Sequence, residues 1–101
     1  MPKLWVQYWE ESERGWGTRP DGCYVYPTKE KAEEETLRIE KEMREREMKG
    51  KPKGWVPDEY SRPCGKPQLK DVSDKIAEEV KAKGVWINHW NWRLDYKETT
   101  K

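Results

Sequence analysis

The chain has 101 residues, enough for one compact domain and too few for a second core. Charged residues make up 41%, and Leu, Ile and Val together number thirteen with no Phe, a composition that leans toward disorder unless the seven Trp and five Tyr supply the buried surface. Twenty-one basic side chains oppose twenty acidic ones, which excludes the global positive field that drives binding to long nucleic acid or to an anionic membrane surface. No apolar run approaches the roughly 20 residues that span a bilayer. The amino terminus (MPKLWVQYW) lacks the apolar core and cleavage site of a secretory signal. The expectation is a single domain, residues 1–101, in the cytoplasm. Cys23 and Cys64 are too few for a disulfide framework and read as small buried hydrophobes.

Residues 3–9 alternate Leu4/Val6/Tyr8 with Trp5/Gln7/Trp9, the period-2 pattern of a strand. Residues 10–22, with three glycines and a closing Arg19-Pro20-Asp21-Gly22, read as a long hairpin loop before a second strand at 23–26. Thr28 caps a helix whose apolar stripe, Ala32, Thr36, Ile39 and Met43, is narrow; the remaining Glu, Lys and Arg form a solvated face laced with i,i+4 pairs. Gly50 and Pro52 end it. Residues 51–67 hold four prolines and read as an ordered connecting loop anchored by Trp55, Val56 and Tyr60. A short strand over 68–72 precedes a helix capped by Ser73, with Val72 stapling Ala77 and with Ile76 and Val80 facing the core. Gly84 stops that helix, and residues 85–92 alternate as a last strand before a charged tail.

The expected class is α+β: a small, mainly antiparallel sheet in β-β-α-β-α-β order with two helices packed on one face. Alternation places Leu4, Val6, Val85 and Ile87 on an aliphatic face under the helices. It places Trp5, Gln7, Trp9, Trp86, Asn88, Trp90 and Trp92 on an aromatic face that nothing in the sequence covers. Such a face exceeds the apolar patch a soluble monomer exposes and points to a ligand site, a partner surface or a homodimer or higher homo-oligomer seam, unless the Trp set is itself the core and the Leu4/Val85 set faces outward.

Two loops beside that face mix cations, glycine and rings: Glu13-Arg14-Gly15-Trp16-Gly17-Thr18-Arg19-Pro20-Asp21-Gly22 and Asp58-Glu59-Tyr60-Ser61-Arg62-Pro63-Cys64-Gly65-Lys66. Arg14, Arg19, Arg62 and Lys66 suit phosphate oxygens, and Trp16, Tyr60, Trp90 and Trp92 offer planes for a base. Asp21 can accept from a ribose hydroxyl or an exocyclic amine. Gly15-x-Gly17 matches neither a P-loop nor a dinucleotide fingerprint. The only histidine, His89, reads as a buried or hydrogen-bonded structural residue; no nucleophile elbow or metal-ligand spacing is present, and Cys64 lacks a partner base. These features favour binding without catalysis, and no cofactor or metal is expected.

The same two loops resemble small bacteriophage and prophage proteins that carry Glu-Arg-Gly-Trp-Gly-x-Arg-Pro-Asp-Gly near the amino terminus and Pro-Asp-Glu-Tyr-Ser-Arg-Pro-x-Gly-Lys-Pro later, here at residues 13–22 and 57–67. By analogy with phage anti-defence proteins, the resemblance implies sequestration of a small phosphorylated nucleotide signal in the host cytoplasm. The alternative it implies is an inhibitor that occludes a host defence protein through the Trp-rich face.

Overall fold

A computed structural model describes residues 2–13, 17–54, 59–89 and 91–94, except for the side chains of Glu13, Glu59 and Tyr60. Its elements are β1 (Lys3–Glu13), β2 (Gly17–Tyr26), α1 (Lys29–Met48), β3 (Glu59–Pro63), β4 (Gln68–Asp71), α2 (Asp74–Lys83) and β5 (Trp86–Asn88). Every strand pair is antiparallel. The sheet runs β3-β1-β2-β5, and β4 pairs the other half of β1. The α+β class and the antiparallel sheet are those expected from the sequence. Two segments read as loops are strands instead. Residues 10–13 and 17–22 continue the first hairpin, with Glu10 opposite Pro20 and Glu11 opposite Arg19, and Glu59–Pro63 pairs with the far half of β1. Their charged and proline-rich residues hide them from hydrophobic periodicity, because their pairing is satisfied through backbone and ion pairs. In the other direction, the expected strand over 85–92 shortens to Trp86–Asn88 and gives way to a bend at His89. His89 is exposed there, which removes the buried form of the structural role expected from the sequence.

One face of the sheet carries the aliphatic core. Val6 lies opposite Val25, and Tyr8 opposite Cys23; Val6, Cys23 and Val25 pack with Val72, Ile76 and Val80 in a single buried cluster. Each fully buried aliphatic side chain here contributes on the order of 1.5–3 kcal/mol relative to exposure. α2 lies on this face. Ser73 Oγ accepts from the Ile76 N–H at 3.2 Å and caps it. Gly84 adopts φ 87° and donates its N–H to the Val80 carbonyl, a left-handed stop open to glycine. Val72 and Ala77 both join the cluster, as the staple predicted.

The opposite face carries Trp5, Gln7 and Trp9 of β1 with Tyr24 and Tyr26 of β2, because paired residues share a face. α1 covers it. Lys29 Nζ lies 6.0 Å from the Trp5 ring centre, and Ala32 and Thr36 are buried; Thr28 Oγ1 caps the helix on the Lys31 N–H at 3.1 Å. The helices, expected side by side on the aliphatic face, therefore divide between the two faces. The expected indole set divides with them. Trp86 pairs with Val25, and Trp86 and Trp92 pack on the aliphatic cluster, while Ile87 pairs with Tyr24. Alternation fixes which residues of one strand share a face but not the phase between strands, which only pairing register sets.

Gly22 fixes two of these strands together. A Cβ placed on it meets the Asn88 carbonyl oxygen at 2.6 Å, and its φ is 150°, so β2 and β5 approach closely only with glycine there. One residue earlier the register of β1 and β2 shifts between Trp9 and Glu10, leaving Asp21 as the extra residue of a bulge. On the other side of β1, residues 64–67 interrupt the ladder between β3 and β4. Gln7, only 1% exposed, fills that gap: its Nε2 donates to the carbonyls of Tyr8 at 2.9 Å and Gly65 at 3.0 Å, and the Cys64 N–H donates to the Tyr8 carbonyl at 2.8 Å. Among the described residues no helix is long and apolar enough to cross a membrane.

Candidate functional site

Of the cations proposed from the two loops, Arg19 and Arg62 do not converge. Arg19 lies opposite Glu11 and contacts its carboxylate at 3.1 Å. Arg62 lies opposite Glu10 and contacts it at 2.6 Å. Glu10 and Glu11 are consecutive in β1, so the two arginines stand on opposite faces of the sheet. Both carboxylates are largely covered, at 17% and 18% side-chain exposure, and each arginine neutralises one of them. Asp21 accepts a hydrogen bond from Ser61 Oγ, whose residue lies opposite Glu11; Asp21 therefore braces the bulge on the Arg19 side. Lys66 is exposed in the turn between β3 and β4. Tyr60 lies opposite Ser12 in β3, with its side chain outside the described residues, as are Arg14, Trp16 and Trp90.

Trp92 is a clamp on the core. Its indole N–H donates to the Trp9 carbonyl at 2.6 Å, and its ring lies 5.1 Å from that of Tyr8. Trp9 is 2% exposed. The open aromatic face that argued for a ligand, a host protein or a second copy is thus, among the described residues, closed by α1 or turned to the other side of the sheet. Cys23 is buried and Cys64 half-buried, with thiols moved away from nucleophilic character. Burial pushes Cys23 up to about 12. Burial and the Glu10 carboxylate raise Cys64, against the smaller opposing effect of Arg62. No group of three or more His, Cys, Asp and Glu suited to a metal ion occurs among the described residues.

A different place does gather rings and cations. Between α1 and the β2–β5 edge lies a cleft of about 170 Å³. Tyr24 and Tyr26, two residues apart on one strand, form its wall with ring centres 6.2 Å apart and planes 20° from parallel. Trp9 extends the series, 5.9 Å from Tyr24. Ile39, Val85 and Ile87 supply apolar lining, and Lys31, Arg38 and Lys83 bring positive charge to it. The α1 residues reach the cleft because positions 31, 35 and 38 repeat at four and three residues, one stripe of the helix.

The electrostatics of the cleft follow from these neighbours. Arg38 donates to Glu35 at 2.5 Å and to Glu42 at 3.0 Å, and Lys31 lies 3.3 Å from Glu35. The Arg38 hydrogen bond, with Lys31 behind it, holds the Glu35 carboxyl below the usual carboxylate range despite some burial. Burial and then the Asp21 carboxylate raise the Tyr24 phenol, which Arg38 partly offsets. Burial likewise raises Tyr26. Both phenols are protonated at neutral pH and remain hydrogen-bond donors. The cleft can therefore hold a planar ring against the partly exposed Tyr24, which the buried Tyr26 backs, and set cations beside an anionic group. Sequence reading missed it, although Tyr24/Tyr26 alternation and the Lys31, Glu35, Arg38 stripe are both visible; a charged stripe looks like plain solvated surface until a sheet edge is known to face it.

No family model, curated protein or solved structure matches the chain.

Proposed function

We propose that this chain is a non-enzymatic binding protein that sequesters a small phosphorylated nucleotide signal, the role suited to a bacteriophage anti-defence protein. The observation that carries the reading is the cleft, where the Tyr24 ring, backed by the near-parallel and buried Tyr26, stands beside Lys31, Arg38 and Lys83. Aromatic planes accept any base, and cations accept phosphate. The cations already hold carboxylates, but at 46%, 55% and 70% side-chain exposure these are the weak, solvent-screened pairs that a phosphate can replace at small cost. The phage setting comes from the loop resemblance at residues 13–22 and 57–67, and the ligand seat moves from those loops to the cleft because Arg19 and Arg62 diverge.

Incubation of the full chain with a panel of mono-, di- and cyclic nucleotides, followed by thermal melting and mass spectrometry of the heat-released material, tests the reading. A raised melting temperature with the ligand recovered unchanged supports sequestration. Altered ligand identifies an enzyme. No shift with any nucleotide overturns the reading in favour of a protein partner.

A further inference from the structure

We infer that the ligand is bipartite, two planar rings joined through phosphate as in a dinucleotide, with one ring against Tyr24, which the buried Tyr26 backs, the other on Trp86, and Lys83 on the connecting phosphate. This rests on the nucleotide-binding reading above. A second hollow of about 370 Å³ is lined by Glu79, Lys83, Val85, Trp86 and Ile87, and it shares Lys83, Val85 and Ile87 with the tyrosine cleft. The two hollows therefore meet along β5. Ile87 lies opposite Tyr24 and Trp86 opposite Val25, so these side chains leave β5 on opposite faces and the hollows flank the strand. β5 stands at the end of the sheet order, and a terminal strand leaves backbone N–H and C=O groups along its outer edge where the two hollows join.

Ordinary small-molecule sites run from roughly 300 to 1,000 Å³. The Trp86 hollow, at about 370 Å³, lies at the low end of that range, and the tyrosine cleft, at about 170 Å³, extends it. Each hollow ends in an aromatic side chain, and Lys83 is the cation common to both linings. Its Nζ lies 2.8 Å from Glu79 on an exposed helix turn, where exchanging a carboxylate for a phosphate costs little. A single nucleotide would leave one of the two hollows unused.

Calorimetric titration of the full chain with AMP, GMP and the 5′-phosphorylated linear and cyclic diadenylate and diguanylate tests this, in the native sequence and in Lys83→Ala. The melting temperature of the variant, at an exposed position, is to stay close to that of the native chain. At least one dinucleotide should bind about tenfold tighter than its mononucleotide, the gain from one further stacked base, and Lys83→Ala should cut that ratio. Equal affinity for mono- and dinucleotide overturns the bipartite ligand while leaving the nucleotide-binding reading intact. A dinucleotide preference unchanged in Lys83→Ala overturns the placement of the phosphate. Absence of binding by all six compounds overturns the inference together with the reading beneath it.

Discussion

Trp92 donates its indole N–H to the main-chain carbonyl of Trp9 at 2.6 Å, across 83 positions of sequence. The bond ties residues 91–94 to β1 beside the point where the β1–β2 register shifts, and the Trp92 ring adds a contact with Tyr8 at 5.1 Å between centres. Trp92→Phe keeps most of the ring and loses the donor, at a cost of about 1–2 kcal/mol. Trp92→Ala also opens a cavity against Tyr8 and should cost about 3 kcal/mol. Urea unfolding checks both; equal losses for the two variants would show that the hydrogen bond contributes all of the effect.

Gly22 and Gly84 both have φ between 80° and 160°, yet they should respond differently to alanine. At Gly84 the added Cβ meets nothing within 4 Å, so only the left-handed backbone penalty of about 1–2 kcal/mol applies. At Gly22 the Cβ also meets the Asn88 carbonyl at 2.6 Å, which forces β2 away from β5. Gly22→Ala should cost more than Gly84→Ala, on the order of 3 kcal/mol, and should raise hydrogen exchange at residues 86–88. Equal melting temperatures for the two variants would contradict the close approach.

Arg19 and Arg62 neutralise largely covered carboxylates on opposite faces of the sheet, and neither lines the cleft. Arg19→Ala and Arg62→Ala should each cost roughly 1 kcal/mol of stability, the usual scale for a partly exposed ion pair, and leave nucleotide affinity unchanged. Tyr24→Ala and Arg38→Ala should instead lower affinity. Loss of binding in Arg62→Ala with an unchanged melting temperature would return the ligand to the loops.

The thiol of Cys23 is pushed up to about 12 by burial, against an ordinary value of about 8.5. Its folded value therefore exceeds its unfolded value, so its stabilising contribution is complete below about pH 8.5 and is lost as pH rises toward 12. Tyr8, Tyr24 and Tyr26, all raised by burial, add the same sign at higher pH. The urea midpoint should fall between pH 8 and pH 10, more shallowly in Cys23→Ala. With a thiol reagent at pH 8 the native chain should label Cys64 and spare Cys23 until it unfolds.

Much of the fold is legible in residue order. Thr28 and Ser73 announce helix starts with hydroxyls aimed at free N–H groups, Gly84 announces a stop, and the Leu4, Val6, Tyr8 alternation announces β1. These signals are local, a few residues wide, and depend on backbone geometry alone. The Glu10–Glu13 extension of β1 and the strand at Glu59–Pro63 carry no such signal, since they lack apolar alternation and are held by backbone pairing and ion pairs, for β3 with partners more than 40 residues away. The loop site is hidden for the same reason: pairing register puts Arg19 and Arg62 on opposite faces, and Trp92 is taken up by Tyr8 and the Trp9 carbonyl.

The sequence by itself determined the α+β class, the helix caps, the inert setting of Cys23 and the need for aromatic side chains in a chain so poor in aliphatics. Only the tertiary structure decided which face each ring occupies. Alternation within a strand is a property of the backbone, whereas the phase between strands is set by hydrogen-bond register, and a shift of one residue turns every side chain over. That register put Trp86 with Val25 and Ile87 with Tyr24, sent the two helices to opposite faces, and left beside α1 a cleft of tyrosines and cations.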